Sequence, residues 1–220
     1  MGKINKEITS LVENKIWDLV PLPPERKVID NRWVFKIKRD KDGNIDKYKA
    51  RLVVKGCSQR RGLDYEETYA PVARLTTVRT LLSMVNELRL KTRQLDVKNA
   101  FLHGTIDEKI YMKLPQGFTQ DNGLVCKLNY SLYGLKQAPR AWNARFNEFI
   151  LSLRFKRLER DHCLYIATSK RCRLYLLLYV DDIIIAGQNE IQIQEIVDAL
   201  KSEFAMTDIG EIGSFFGIKI

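Results

Sequence analysis

The chain is poor in the residues that build metal fingers, membrane spans and flexible arms. It has four cysteines and two histidines in 220 residues. Cys57, Cys126, Cys163 and Cys172 form no C-x-x-C pair, His162 beside Cys163 lacks partners at ligand spacing, and His103 stands alone, so nothing points to a zinc site. The cysteines read as reduced intracellular thiols or small core hydrophobes. No run of about 18 apolar residues occurs, which excludes a helical membrane span. The longest apolar stretches, Leu174–Val180 and Ile183–Gly187, are strand-sized and separated by acids. Met1–Ser10 has no apolar core of the kind a secretory signal needs. The phosphate-loop pattern G-x-x-x-x-G-K-(S/T) is absent, and so is any fixed-period repeat or low-complexity tract.

What remains is a globular composition, 45% hydrophobic and 29% charged, which rules out a disordered or collagen-like chain. The length predicts one large domain or two small ones and is enough to bury about 70% of the unfolded surface. The net charge of +10 is unevenly placed. Arg26–Arg61 holds thirteen Lys/Arg against four Asp, a net of +9, while the other 184 residues share +1. Such a segment is either a solvated Lys-rich hairpin or an electrostatic footprint for phosphates.

Alternation predicts strands over Arg32–Lys38 and Tyr48–Lys55, joined by a turn at Asp40–Asn44 with Asp42-Gly43 as its strongest signal. Residues 1–20 read as a short helix and a lead-in ending at Pro21-Leu22-Pro23-Pro24. Thr76–Leu88 fits a helix with Val78, Leu81, Leu82 and Val85 on one face, and Glu190–Phe204 another with Ile193, Ile196, Val197 and Leu200 inward. Pro139–Leu153 reads as a third helix. Strands are predicted at Thr92–Val97, Ile110–Leu114, Leu124–Leu128, Leu164–Ala167, Arg173–Val180 and Ile183–Ala186, with a last hairpin over Ile209–Ile220. Irregular alternation with frequent hairpins indicates an α+β fold with a mainly antiparallel sheet.

The chemistry should lie in Leu174-Tyr-Leu-Leu-Leu-Tyr-Val-Asp-Asp-Ile-Ile-Ile-Ala. An ordinary hairpin carries Asn-Gly or Asp-Gly at its tip, not two acids flanked by Val180 and Ile183. Adjacent carboxylates near a core raise each other's pKa, and a divalent cation removes that penalty. The plain alternative is a solvated acidic turn. A third acid, Asp96, ends the strand Gln94-Leu95-Asp96-Val97; if the strand ends are neighbours, Asp96 faces Asp181 and Asp182. Three such groups suit phosphoryl transfer assisted by two cations about 3.5–4 Å apart.

These residues resemble the reverse transcriptase of copia-type LTR retrotransposon polyproteins. The resemblance rests on Tyr179-Val-Asp-Asp182 and Leu95-Asp-Val-Lys-Asn-Ala-Phe-Leu102. It extends through Trp33-Val-Phe-Lys36, Tyr48-Lys-Ala-Arg-Leu-Val-Val-Lys-Gly56 and Asp64-Tyr-Glu-Glu-Thr-Tyr-Ala-Pro-Val-Ala-Arg74. Ile110-Tyr-Met-Lys-Leu-Pro-Gln-Gly117 and Leu132-Tyr-Gly-Leu-Lys-Gln-Ala-Pro-Arg140 complete it.

The resemblance implies a right-hand polymerase. Residues 1–75 would be a lead-in and fingers with the basic hairpin, and residues 76–220 a palm with the remaining fingers elements and a primer-grip hairpin. The reaction would be RNA-directed DNA synthesis. Asp96, Asp181 and Asp182 would hold two Mg2+ ions (Mn2+ as a substitute), with the Val97 carbonyl as a further ligand. Phe101 matches the steric gate that selects dNTPs over rNTPs; on spacing alone it reads as a core aromatic. Arg51 and then Lys49 would hold the triphosphate, since a guanidinium grips phosphate bidentately. Tyr133, Gly134 and Gln137 match the loop beside the nascent base pair, with Gly134 allowing close approach of the nucleotide. Tyr179, Phe216 and Gly217 would touch primer or template; Phe216 departs from the family's usual Leu. Expected partners are an RNA template, a DNA primer, dNTPs and other polyprotein-derived chains, in the cytoplasm or virus-like particles, with no membrane. The family's thumb and RNase H regions are not in this sequence, so a fragment, a processed piece or a decayed copy is expected. The competing reading is a non-catalytic nucleic-acid-binding remnant. A nucleotidyl cyclase is disfavoured by the gate aromatic, because cyclases use ribonucleotides.

Overall fold

The computed structural model describes residues 2–39, 43–118, 123–168, 173–215 and 218–219. The chain opens with helix α1 (Gly2–Glu13), strands β1 (Trp17–Pro21), β2 (Asn31–Arg39) and β3 (Ile45–Val54), and a 3-10 turn, Gly56–Ser58. Helix α2 (Leu75–Glu87), strand β4 (Lys91–Val97), a second 3-10 turn (Ala100–His103) and strands β5 (Tyr111–Met112) and β6 (Leu124–Leu128) follow. Helix α3 (Ala138–Ser152) leads to β7 (Lys156–Arg157), β8 (Leu164–Thr168), β9 (Arg173–Tyr179) and β10 (Asp182–Gly187). The last elements are α4 (Glu190–Glu203), β11 (Met206–Gly210), β12 (Ser214–Phe215) and β13 (Ile218–Lys219). Every pairing between these strands is antiparallel, so the fold is mixed α/β with antiparallel sheets.

Two compact units divide the chain. The first comprises Met1–Tyr69 and Phe101–Trp142, the second Ala70–Ala100 and Asn143–Ile220. Residues 101–142 thus pack with the N-terminal part of the chain in the first unit.

In the first unit, β1, β6 and β5 form a three-stranded sheet over a core that includes Leu11, Ile16, Leu52, Met112, Cys126 and Leu132. Strand β1 replaces the expected lead-in. Its register, Trp17↔Leu128 to Pro21↔Leu124, puts it on the sheet edge, where a proline without an N–H is tolerated. The β2–β3 hairpin sorts its residues by face. The pairs Val34↔Arg51 and Lys36↔Lys49 lie on one side, and Trp33↔Leu52, Phe35↔Ala50 and Ile37↔Tyr48 on the other. Its expected turn falls largely on residues 40–42, outside the described residues.

The second unit is built on a six-stranded sheet of order β11-β4-β10-β9-β8-β7. Its central strands are apolar on both faces: Leu176, Leu177, Ile183, Ile184 and Ile185 are fully buried. Helix α2 buries Val78, Leu81, Leu82 and Val85, as its spacing predicts, and α4 buries Ile193, Val197 and Leu200 with Ile196 half-buried. The N-terminus of α2 has no cap of its own, since Arg74 makes no side-chain cap bond. The Asp161 carboxylate supplies one, accepting from the Arg74 N–H at 3.0 Å. The last hairpin is shorter than expected, because residues 206–210 instead form β11 against β4.

Candidate active site

The acidic cluster follows from strand register in the second unit. Strand β10 runs antiparallel to both β4 and β9, with Asp182 opposite Asp96 on one side and Tyr179 on the other. Directly opposed residues have Cα atoms about 4.5–5.5 Å apart and side chains on one face. Asp181 is next in the chain, and its carbonyl accepts from the Val97 N–H at 2.8 Å, fastening the turn to the end of β4. The tip of the hairpin is thus Val180-Asp181, with Asp182 the first ladder residue rather than part of the tip. A two-residue turn demands left-handed backbone, and Val180 supplies it at φ 58°. That conformation is costly for a β-branched side chain, which marks the turn as a strained point.

The electrostatics are unfavourable as they stand. Burial, then Asp181, then Asp96 push the Asp182 carboxyl above its ordinary range, while a hydrogen bond from Gln94 offsets part of the shift. Gln94 sits two residues before Asp96 on the same face of β4. It is a site residue that sequence reasoning passed over, although strand periodicity alone carries the signal. The charged oxygen donors here are the carboxylates of Asp96, Asp181 and Asp182, hard ligands of the kind that suit Mg2+. Among the described residues no three His, Cys, Asp or Glu side chains are already disposed around a single ion. The strand register nonetheless sets Asp96 opposite Asp182, and both Asp181 and Asp96 act on the Asp182 carboxyl.

In the first unit three of the residues expected around a nucleotide, Arg51, Tyr133 and Phe101, touch in sequence. The Arg51 guanidinium carbon lies 4.6 Å from the centre of the Tyr133 ring. Tyr133 in turn meets Phe101 edge-on, with centroids 5.3 Å apart and planes at 65°. The Arg51 Nε is buried with no hydrogen-bond partner. Glu7 on α1 faces Lys49 and Arg51; burial raises its carboxyl, and the two cations offset part of that.

Gly134 and Gln137 both make close contacts within the first unit. Gly134 has φ +92°, and a Cβ there would meet the Val54 carbonyl at 2.1 Å. The close approach it permits is to the backbone of β3. A Cβ on Gly56 would likewise meet the Gly134 carbonyl at 2.0 Å, so two glycines lock this loop to the end of the hairpin. Gln137 is only 4% exposed. Its amide donates to the Asp64 carbonyl at 2.9 Å and to Glu108 at 3.3 Å, and its oxygen accepts from Gln59 at 2.9 Å. Gln59 also accepts from the Lys136 N–H at 2.8 Å. Both residues therefore shape the loop from beneath.

Tyr179 packs edge-on against Phe215, centroids 6.5 Å apart. Phe216 and Gly217 lie outside the described residues, as does Cys172. Cys126 and Cys163 are buried thiols pushed up to about 12, mainly by burial, which makes them inert core residues. Among the described residues no helix is long and apolar enough to cross a membrane.

The model of the family described as "Reverse transcriptase (RNA-dependent DNA polymerase)" matches residues 14–220. The chain belongs to this reverse transcriptase family. It is 43% identical over 223 aligned residues to the retrovirus-related Pol polyprotein from transposon TNT 1-94 of Nicotiana tabacum, covering 100% of this chain and 17% of the relative. It is 41% identical to the corresponding polyprotein from transposon RE1 of Arabidopsis thaliana, covering 98% of this chain and 15% of the relative. The Gag-Pol polyprotein of transposon Ty1-BL of Saccharomyces cerevisiae is 26% identical over 91% of the chain and 11% of its own length. The first two relatives are Pol polyproteins from copia-type transposons, and the chain spans less than a fifth of the length of each of the three.

Proposed function

We propose that this chain is the polymerising core of a copia-type reverse transcriptase, extending a DNA primer on an RNA template from dNTPs. The second unit would serve as palm and the first as fingers. The observation that carries the reading is the register of β10 on β4: it sets Asp182 opposite Asp96 beside Asp181, a concentration of negative charge that a divalent cation would relieve.

Mg2+, or Mn2+ in its place, held by the three carboxylates and the Val97 carbonyl, would acidify the primer 3′-hydroxyl and neutralise the triphosphate and departing pyrophosphate. The aspartates orient these ligand oxygens, and the Val97 N–H bond to Asp181 keeps the turn in place. Arg51, with Lys49 beside it, would bind phosphate oxygens; its buried Nε has a donor to offer. Stacking on Tyr133 holds the guanidinium plane. The Phe101 ring would fill the space a ribose 2′-hydroxyl needs, excluding ribonucleotides by contact. Tyr179 would lie along the primer. In the cell, other polyprotein-derived chains and a virus-like particle in the cytoplasm would complete the setting.

The test is single-nucleotide extension of oligo(dT) on poly(rA) with Mg2+. Wild-type chain should incorporate dTTP well above Asp181→Asn; equal incorporation refutes the proposal. Salt-sensitive RNA binding that is indifferent to Asp96→Asn, with no incorporation, would instead identify a binding remnant.

A further inference from the structure

Phe101 does not hold its own place. It lies in the 3-10 turn Ala100–His103, which is too short to be rigid alone. Ser131, fully buried, reaches this turn from thirty residues away. Its hydroxyl donates to the Phe101 carbonyl, and its N–H donates to the Gly104 carbonyl at 2.7 Å. The Gly104 N–H closes the same loop onto the Phe101 carbonyl at 3.3 Å. One residue thus clips both ends of the turn that carries the gate. The far side is fixed too: a Cβ on Gly104 would meet Ala141 and the Trp142 nitrogen at 2.7 Å, so the turn is pressed against the start of α3. Ser131 also lies two residues before Tyr133, whose ring touches Phe101, so one segment sets both the backbone and the flank of that ring.

We infer that Ser131 is a positioning residue for sugar discrimination, acting through Phe101; the inference rests on the gate role given to Phe101 above. A gate excludes a single hydroxyl only if its ring is held to within a fraction of an ångström, and a pivoting 101–104 turn would let the ring yield. The Ser131 hydroxyl removes that freedom at the Phe101 carbonyl itself. Its contribution should appear in the ratio of nucleotide affinities rather than only in overall folding.

The experiment measures binding of dTTP and of UTP, with Mg2+, to the chain on poly(rA)·oligo(dT) whose primer ends in a dideoxynucleotide, so that no bond forms. In Ser131→Ala the dTTP-over-UTP affinity ratio should fall about two- to tenfold, the range one net hydrogen bond supports. Phe101→Ala should lower the ratio further, and Ser131→Ala added to Phe101→Ala should change it no more, as expected when one residue acts through the other. A wild-type ratio in Ser131→Ala, or an equal drop in the Phe101→Ala background, overturns the inference. Should Ser131→Ala fail to fold, Ser131→Cys keeps the volume with only a weak donor; a reduced ratio there supports the inference and a wild-type ratio overturns it. If the wild-type chain binds dTTP and UTP alike, or neither, the gate reading itself fails and this inference falls with it.

Discussion

Asp182→Asn should stabilise the metal-free chain while abolishing nucleotide addition. Its register partner Asp96 places the two Cβ atoms about 4.5–5.5 Å apart. Two unit charges about 5 Å apart repel by about 0.8 kcal/mol at the permittivity of water and about 3 kcal/mol at an effective value of about 20. Asp182 is half-buried, so screening by solvent favours the lower end, and about 1 kcal/mol is the working figure. Asparagine removes this repulsion and that from Asp181 together, keeps the shape, and still offers Gln94 an acceptor. For a chain of this size about 1 kcal/mol corresponds to about 2–4 °C in Tm. Thermal unfolding followed by circular dichroism in EDTA should therefore show the variant melting higher. Adding Mg2+ should raise the wild-type Tm and narrow or reverse the difference, because a ligand of the folded state stabilises only the chain that binds it. If Asp182→Asn melts at or below wild type in EDTA, the charge concentration is not a liability in the folded chain, and the electrostatic argument for a cation fails.

Relief of strain is testable at the adjacent position: Val180→Gly should gain about 0.5–1 kcal/mol of stability in urea, since glycine accepts φ 58° without cost, and a loss of midpoint would refute the strain. At Asp161, burial works to raise the carboxyl, but hydrogen bonds from Thr77 and from the N–H groups of Arg74 and Cys163 hold it below its ordinary range. Asp161→Asn should therefore cost about 1–2 kcal/mol at neutral pH. Because the folded pKa is the lower one, that contribution is complete above the ordinary value of 3.8 and disappears as pH falls through the folded value, so the two urea midpoints should converge in acid. Gly56→Ala should cost at least about 2 kcal/mol, because its Cβ has no space beside the Gly134 carbonyl; an unchanged urea midpoint would show that the loop can yield.

The amphipathic and strand periods made much of this fold readable. Val78, Leu81, Leu82 and Val85 announce the buried face of α2, and the apolar runs around Asp181-Asp182 announce central strands. What escaped was everything supplied from a distance. The cap of α2 comes from Asp161, 87 residues beyond Arg74, and no local pattern marks an acid as a remote cap. Gln59, Gln94 and Ser131 are ordinary polar residues in sequence, and their work appears only when their partners are known. Strand β1 was missed because five residues ending in proline carry too little alternation to be distinguished from a lead-in. The resemblance pointed to Gly134 and Gln137 as loop residues beside a nucleotide, but no local pattern showed the Val54 carbonyl packed against Gly134 or the Asp64 carbonyl that accepts from Gln137.

The placement of the acids follows from the sheet itself. Strand β10 continues from Asp182 into Ile183, Ile184, Ile185 and Ala186, all fully buried, so a carboxylate even one residue further in would be stranded in an apolar layer. Charge can be carried only where the strand emerges, and antiparallel pairing necessarily sets the start of β10 beside the end of β4. Two acids distant in sequence are thereby brought together by the same ladder that buries the isoleucines. The arrangement depends on register, because a slip of one residue would send Asp182 to the opposite face from Asp96. The tight turn at Val180-Asp181 fixes that register at the cost of a left-handed valine. Inserting one glycine after Val180 should consequently relax the turn, uncouple Asp182 from Asp96 and abolish nucleotide addition while leaving the helices intact by circular dichroism; full activity in that insertion variant would show that the register does not define the site.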